Sequence, residues 1–164
     1  MDIKIKKLNP DAIIPTNGSE YAAGWDLYSC EDATIEPGSS AFIHTGIAIE
    51  IPQGYFGAIY ARSGMACKES LRPANCVGVV DADYRGEVMV CLHNDNAPLK
   101  LDEAVDHDFY INYFWSPNEA KPIPKGTRIA QLIIQKYEPI NFIEVDELED
   151  TSRGEGGFGS TGTN

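Results

Sequence analysis

The sequence is poor in the residues that build metal sites and disulfide frameworks. It contains four cysteines and three histidines among 164 residues. None of them forms a C-x-x-C pair or a zinc-like spacing. We therefore expect reduced thiols in a cytosol-like compartment rather than a disulfide scaffold or a structural zinc site. The cysteines concerned are Cys30, Cys67, Cys76 and Cys91.

Basic residues and long apolar runs are also scarce. Thirteen Lys and Arg residues face 25 Asp and Glu residues, which gives a net charge of −12. This balance argues against direct contact with nucleic acid or an anionic membrane, and no apolar run approaches membrane-spanning length. The expected location is the cytoplasm, or the host cytoplasm if a phage or virus encodes the chain. An anionic ligand would need a local cluster of cations, for which the candidates are Arg62, Arg85, Arg128 and Arg153.

Short β-type segments separated by turn signals make up most of residues 1–150, which we assign to one domain. One short helix is predicted at residues 63–70. The pattern predicts an all-β sandwich, jelly roll or small barrel. The predicted strands are residues 3–6, 41–51, 55–60, 87–92 and 129–134.

An extra segment at about residues 95–121 departs from this pattern. It is acidic at residues 102–108 and densely aromatic at residues 109–115. Three interpretations remain open: an added hairpin packed on its own protein, a passive surface excursion, or a protein-binding surface between Asp102 and Ser116.

The C-terminal arm, residues 151–164, is rich in glycine and contains one arginine and one aromatic ring. Glycine lets backbone N–H groups converge on an anion. Arg153 could grip a phosphate and Phe158 could stack on a flat base. The arm either closes over a nucleotide or is an unstructured tail.

Two shorter motifs could carry chemistry. In the turn at residues 78–86, Asp81 could act as a general base and Tyr84 as a flat wall, unless the segment is only a polar hairpin turn. A calcium loop is excluded because its fifth and twelfth positions would be Arg85 and Leu92. Ser63, at the start of the predicted helix, could bind an anion or cap the helix.

Together these residues resemble the trimeric dUTPase family. Five motifs occur in the family's order: residues 23–29 (AGWDLYS), 62–66 (RSGMA), Asn75 with 78–87 (GVVDADYRGE), 126–132 (GTRIAQL) and 153–162 (RGEGGFGSTG). The resemblance implies a homotrimer of jelly-roll-like, distorted β-barrel subunits with sites shared between subunits. It also implies hydrolysis of dUTP to dUMP and pyrophosphate with Mg²⁺, which limits uracil in DNA and supplies dUMP.

The resemblance also implies roles for individual residues. Asp81 would activate the water that attacks the α-phosphorus, Gln131 would lie near that phosphate, and Asp26 would reach Mg²⁺ through water. The other matched positions would contact the base, the sugar or the phosphates: Arg62, Ser63, Gly64, Asn75, Gly78, Tyr84, Arg153, Phe158, Gly159, Ser160 and Thr161.

Three positions depart from the family pattern: Trp25 replaces a tyrosine or phenylalanine, Ala61 a proline, and Met65 a leucine. Two alternative functions remain. One is a dCTP deaminase-like enzyme of the same superfamily, which the intact motifs disfavour. The other is a nucleotide-dependent regulatory module acting through residues 95–121.

Overall fold

The computed structural model describes residues 1–75, 77–96 and 120–157. Within these ranges the chain forms twelve strands and one helix, α1 (Ser63–Glu69). The strands are β1 (Lys4–Lys7), β2 (Thr16–Asn17), β3 (Trp25–Tyr28), β4 (Ala33–Ile35), β5 (Ser40–His44), β6 (Ile47–Glu50), β7 (Tyr55–Tyr60), β8 (Leu71–Pro73), β9 (Gly78–Val80), β10 (Met89–Asn94), β11 (Lys121–Ile123) and β12 (Arg128–Lys136).

The described strands form four antiparallel sheets. The largest has the order β2-β3-β12-β7-β9, and a second has the order β5-β10-β8. Two-stranded sheets pair β1 with β6 and β11 with β4. These strands do not close into one continuous barrel. The architecture confirms the prediction of an all-β, jelly-roll-like fold with one short helix.

A single apolar core joins these sheets. Leu27, Ile43, Leu92 and Ala130 come from β3, β5, β10 and β12, and each is 0% exposed. Fully burying a Leu or Ile side chain contributes about 1.5–3 kcal/mol. Strand β12 has neighbours on both sides, β3 and β7. Side chains near its start are therefore held in fixed positions relative to both neighbours.

The predicted strand at residues 41–51 is wrong as one element. It divides into β5, which pairs with β10, and β6, which pairs with β1. The division falls at Gly46, whose φ is +68°. A Cβ atom there would lie 2.8 Å from Cβ of Asn9. The β-branched composition indicates extended structure but does not reveal that the chain changes partners at a glycine.

Regular structure in the described chain ends at Lys136, and every residue from 137 to 150 is exposed. The cysteines in the described ranges, Cys30, Cys67 and Cys91, are free thiols as predicted. No helix in these ranges has the length and apolarity needed to cross a membrane.

Candidate functional site

A buried carboxylate organises the first part of the site. The side chain of Asp26 is 7% exposed. Its Oδ1 accepts a hydrogen bond from Nε of Arg62 at 3.0 Å, and its Oδ2 accepts one from Nη1 of Arg128 at 3.3 Å. A buried carboxylate requires such partners because desolvation penalises its charge. Asp26 thereby holds two guanidinium groups side by side.

Strand pairing explains why these residues meet. Gln131 on β12 lies opposite Asp26 on β3 and opposite Tyr60 on β7. Arg62 follows the end of β7 by two residues and donates from Nη1 to the carbonyl of Arg128 at 3.2 Å. The amide nitrogen of Gln131 lies 3.5 Å from Oδ1 of Asp26. We call Asp26, Arg62, Arg128 and Gln131 the arginine cluster.

The arginine cluster can still receive an anion. The side chains of Arg62 and Arg128 are 24% and 52% exposed, so both guanidinium groups face solvent as well as Asp26. Arg128 was only a general cation candidate in the sequence, although motif four contains it. Its place in the cluster follows from the pairing of β3 with β12, which local composition does not reveal.

Ser63 and Gly64 lie beside this cluster at the start of α1. The helix cap is Arg62, and it has no side-chain capping hydrogen bond. The prediction that Ser63 caps the helix is therefore wrong, because Ser63 is the first residue inside it. Both Ser63 and Gly64 are exposed. Their polar groups thus lie on the solvent side of Arg62.

A second part of the site lies at Asn75 and residues 77–88, which include β9 and its connection to β10. We call this segment the hairpin for its turn, although β9 and β10 belong to different sheets. Asn75, Gly78, Asp81 and Tyr84 line one cavity of about 230 Å³, which we call the hairpin pocket. Phe42, Ile59, Val79, Val80, Glu87, Val88 and Met89 complete its lining. The structure therefore brings together four residues that the sequence assigned to the site.

Hydrogen bonds of the turn fix the backbone at Asp81 and the ring of Tyr84. The backbone N–H of Tyr84 donates to the carbonyl of Asp81 at 3.2 Å, and the Tyr84 hydroxyl donates to the carbonyl of Glu87 at 3.0 Å. Gly86 is required because a Cβ atom there would clash with the Tyr84 ring. The segment contains a turn, but the interpretation as a β-hairpin is wrong, because β9 pairs with β7 whereas β10 pairs with β5 and β8. The turn presents Asp81 and Tyr84 to one cavity.

The hairpin pocket and the arginine cluster are far apart within one chain. Gln131 pairs with Tyr60, whereas Val80, just before Asp81, pairs with Gly57. From Gln131 to Asp81, the offset is about 13 Å along the direction of β7 and about 10 Å across the sheet, which is two strand spacings. Asp81 and Gln131 are thus about 16 Å apart by strand geometry. One chain cannot place both residues against the same phosphorus atom.

The described part of the C-terminal arm forms a turn of its own. Nε of Arg153 donates to the carbonyl of Gly156 at 2.9 Å, and the N–H of Gly154 donates to the carbonyl of Thr151 at 3.0 Å. Arg153 is exposed and does not join the arginine cluster. Phe158, Gly159, Ser160 and Thr161 lie outside the described residues, as does the predicted partner surface from Asp102 to Ser116.

Comparisons with known proteins reveal related sequences and structures. A family model described as dUTPase matches residues 10–103 and 111–162. All five motifs fall inside these ranges. The gap between the two matched ranges, residues 104–110, lies inside the extra segment predicted at residues 95–121 and forms only a small part of it.

Individual relatives match over almost the whole chain. The deoxyuridine 5'-triphosphate nucleotidohydrolase of Nautilia profundicola is 44% identical over 162 residues, covering 99% of each chain. The enzyme of the same name from Corynebacterium diphtheriae is 43% identical over 162 residues, covering 99% of this chain and 93% of the relative. The dUTPase of Staphylococcus bacteriophage 80alpha, solved with dUPNHPP, has a TM-score of 0.81 at 30% identity over 99% of each chain.

Proposed function

This chain belongs to the dUTPase family, and we propose that it hydrolyses dUTP to dUMP and pyrophosphate in sites built from more than one copy of itself. The observation that carries the proposal is the division of the site. The hairpin pocket has the groups for a base, a sugar and a water molecule, and the arginine cluster has the charge for phosphates.

The hairpin pocket is the proposed site for deoxyuridine. The Asn75 amide offers both donors and an acceptor to the edge of uracil. Gly78 lets this amide approach the backbone, since a Cβ atom at Gly78 would lie 3.3 Å from Nδ2 of Asn75. The Tyr84 ring, 44% exposed, would lie under the deoxyribose and leave no room for a 2′-hydroxyl.

Rejection of dTTP requires a steric wall. A methyl group contributes only about 1–3 kcal/mol of discrimination in a hydrophobic pocket. We assign the wall to the hairpin backbone between Asn75 and Tyr84, because its turn hydrogen bonds resist expansion.

Asp81 is the proposed general base. Its exposed carboxylate lies directly after β9, at the edge of the pocket. In the proposed step, it accepts a proton from water while the water oxygen bonds to the α-phosphorus. The bond from that phosphorus to the α–β bridging oxygen breaks, and pyrophosphate leaves. A positioned base of this kind accelerates a reaction about 100- to 10,000-fold.

The arginine cluster is the proposed site for the phosphates. Phosphoryl transfer depends mainly on positioning and on neutralising negative charge. Arg62 and Arg128 supply that charge, and Ser63 and Gly64 add neighbouring polar groups. Gln131 would contact the α-phosphate and the attacking water. Asp26 acts indirectly, because its carboxylate fixes both guanidinium groups before the substrate arrives.

The division of the site supports a homotrimer. One copy would contribute the hairpin pocket and another the arginine cluster, which removes the separation of about 16 Å that strand geometry imposes within one chain. Exposed apolar side chains also favour assembly, since Ile140, Phe142 and Leu148 are 69%, 94% and 87% exposed. An apolar cleft of about 490 Å³, lined by residues including Ile14 and Trp25, offers a surface for another copy to cover.

The C-terminal arm would complete each site. We propose that Arg153, Gly159, Ser160 and Thr161 contact the γ-phosphate and that Phe158 stacks on uracil. Closure of such an arm excludes water and commits the substrate to reaction. The exposed position of Arg153 supports this role, because its guanidinium bonds only to a nearby backbone carbonyl among the described contacts.

The described residues fit Mg²⁺ only through bound water and not as direct ligands. No group of three or more His, Cys, Asp or Glu residues in the described chain could hold a metal ion. Both carboxylate oxygens of Asp26 already accept hydrogen bonds. Mg²⁺ usually keeps several waters and binds substrate phosphates with few carboxylates, so Asp26 would contact it through water. The ion would neutralise charge on the triphosphate.

The experiment that tests this function is pyrophosphate release by the purified protein with Mg²⁺. The substrates dUTP, dTTP, UTP and dCTP are compared at equal concentration. We expect release from dUTP alone. Bound dUTP without release would reject the hydrolase and favour the regulatory module, whereas ammonia release from dCTP would favour the deaminase-like alternative. Free nucleotide as substrate agrees with the cytoplasmic location we propose.

A further inference from the structure

His44 reaches the hairpin from a neighbouring strand. It is the last residue of β5, and its Nδ1 lies 2.8 Å from Oε2 of Glu87. The side chain of Glu87 is 23% exposed and that of His44 is 44% exposed. The hairpin is therefore tied to β5 through a pair that is partly shielded from solvent.

Glu87 is fixed by a second bond to the same region. Its Oε1 accepts a hydrogen bond from the backbone N–H of Gly46 at 2.7 Å. The next residue, Val88, donates its N–H to the carbonyl of Ile47 at 2.9 Å and accepts a bond from the Thr45 hydroxyl. The β5–β6 turn and the end of the hairpin thus form one hydrogen-bonded unit.

This unit reaches the hairpin pocket directly. The carbonyl of Glu87 accepts the hydroxyl of Tyr84, the proposed wall beneath the deoxyribose. Glu87 itself lines the pocket together with Asn75 and Asp81. A displacement of Glu87 would therefore move the anchor of the Tyr84 ring while leaving the arginine cluster in place.

We propose that His44 is a positioning residue for the dUTP site, and that its proton strengthens the hold on Glu87 and so favours substrate binding. This inference rests on the proposed function. His44 does not contact the reacting atoms, so it should act on KM and leave the chemical step to Asp81.

The groups around His44 determine the direction of the pH dependence. Glu87 faces it from the hairpin, and Glu31 and Cys30 face it across a shared cavity of about 200 Å³. The hydrogen bond to Glu87 raises the pKa of His44, with burial opposing and the charges of Glu87 and Glu31 assisting. Burial raises the pKa of the Cys30 thiol, and Glu87 and Glu31 add to that effect. Cys30 therefore stays neutral around neutral pH.

The direction in which KM changes with pH follows from the raised pKa of His44. Below the ordinary histidine pKa of about 6.5, His44 is protonated whether or not it bonds to Glu87, so the pair contributes fully. The contribution is lost as the pH rises through the raised pKa of the bonded form. We expect the KM for dUTP to rise about two- to fivefold across that range, as for a partly exposed ion pair, with little change in kcat.

The test compares wild-type protein with His44→Asn over the same pH series. Asparagine can donate a hydrogen bond from the place of Nδ1 but does not titrate in this range. The phosphates of dUTP also titrate, and this affects the KM of both proteins. The quantity that tests the proposal is therefore the difference between the two profiles of KM against pH. His93→Asn is the matched control, because the described partners of the His93 ring are Ser40 on the same sheet and Asp95, not Glu87. It should retain the wild-type profile.

Parallel wild-type and His44→Asn profiles would overturn the proposal. A second measurement needs no turnover: NMR titration should move the Tyr84 amide signal together with the His44 ring, and Glu87→Gln should lower the pKa of His44. Absence of this coupling also rejects the positioning role. If wild-type protein shows the coupling but releases no pyrophosphate from dUTP, the proposed function fails while the link between His44 and Tyr84 stands.

Discussion

Arg62 and Asp26 are 36 residues apart in the chain, and their side chains meet at 3.0 Å between Nε and Oδ1. The same carboxylate bonds to Arg128, which lies at the start of β12. Asp26 therefore orients two cations, one at the cap of α1 and one at the start of β12. In the proposed function, this buried acid would serve an anionic substrate by fixing the groups that bind it.

Asp26→Asn should lower kcat/KM for dUTP about 10- to 100-fold, as expected for loss of one charge-assisted hydrogen bond of about 1.5–3 kcal/mol. The amide keeps the volume but loses the charge that holds both arginines. Steady-state kinetics with a thermal unfolding curve would measure the effect. Asp11→Asn is the control, because Asp11 forms only a surface ion pair with Lys125. Equal kinetics in the two variants would contradict the role of Asp26.

Asp81→Asn should bind dUTP normally and lose about 100- to 10,000-fold in kcat, which is the usual contribution of a general base. Binding by calorimetry and turnover by pyrophosphate release separate the two effects. Asp83→Asn, two residues along the same exposed turn, is the matched control and should keep most activity. Near-normal turnover by the Asp81 variant would require another base.

The sequence predicts the residues within each half of the site better than the distance between the two halves in one chain. The D-x-D-x-x-G turn identifies Asp81 and Tyr84 because polar turn residues between two strands are a local signal. The motif around Arg62 is equally local. Their separation depends on the order β12-β7-β9 and on register, which are set by contacts between distant segments.

Local pattern also misjudged one strand and one helix cap. The run at residues 41–51 is apolar and β-branched throughout, yet Gly46 takes a φ of +68° and the chain changes sheets there. The helix begins at Ser63, as predicted, but its cap is Arg62 rather than Ser63.

Gly46→Ala should destabilise the fold by more than Gly54→Ala. Both glycines have positive φ, +68° and +85°, and alanine there costs about 1 kcal/mol or more. Only at Gly46 would the added Cβ atom meet neighbours, since nothing lies within 4 Å of the corresponding position at Gly54. Thermal unfolding measures the difference. Equal losses of stability in the two variants would show that backbone strain alone determines the cost of alanine at both positions.

Removal of residues 153–164 should lower dUTP turnover about 10- to 100-fold, because a charge-assisted phosphate contact and the closing arm are lost together. The assembly should persist, since these residues follow the exposed apolar positions Ile140, Phe142 and Leu148. Turnover and light scattering test the two statements. Arg153→Lys separates charge from fork geometry and should give an intermediate loss. Full activity of the truncated protein would make the arm a passive tail.

Mixing two impaired variants tests whether sites are shared. In the proposed homotrimer, Asp81→Asn would impair every hairpin pocket and Asp26→Asn would impair every arginine cluster. If the two halves come from different copies, random mixing should restore about one quarter of the sites. Unfolding and refolding the variants together permits subunit exchange, and pyrophosphate release measures the recovery.

The control separates sharing from simple dilution. Mixing Asp81→Asn with a chain that carries both substitutions should restore nothing, because every hairpin pocket then remains inactive. Recovery in the first mixture alone requires that an intact hairpin pocket and an intact arginine cluster meet across a subunit boundary. If neither mixture recovers although exchange is shown by mass spectrometry of tagged chains, both halves must come from one copy. The hairpin would then have to move about 16 Å toward β12, a displacement that the β7–β9 pairing opposes.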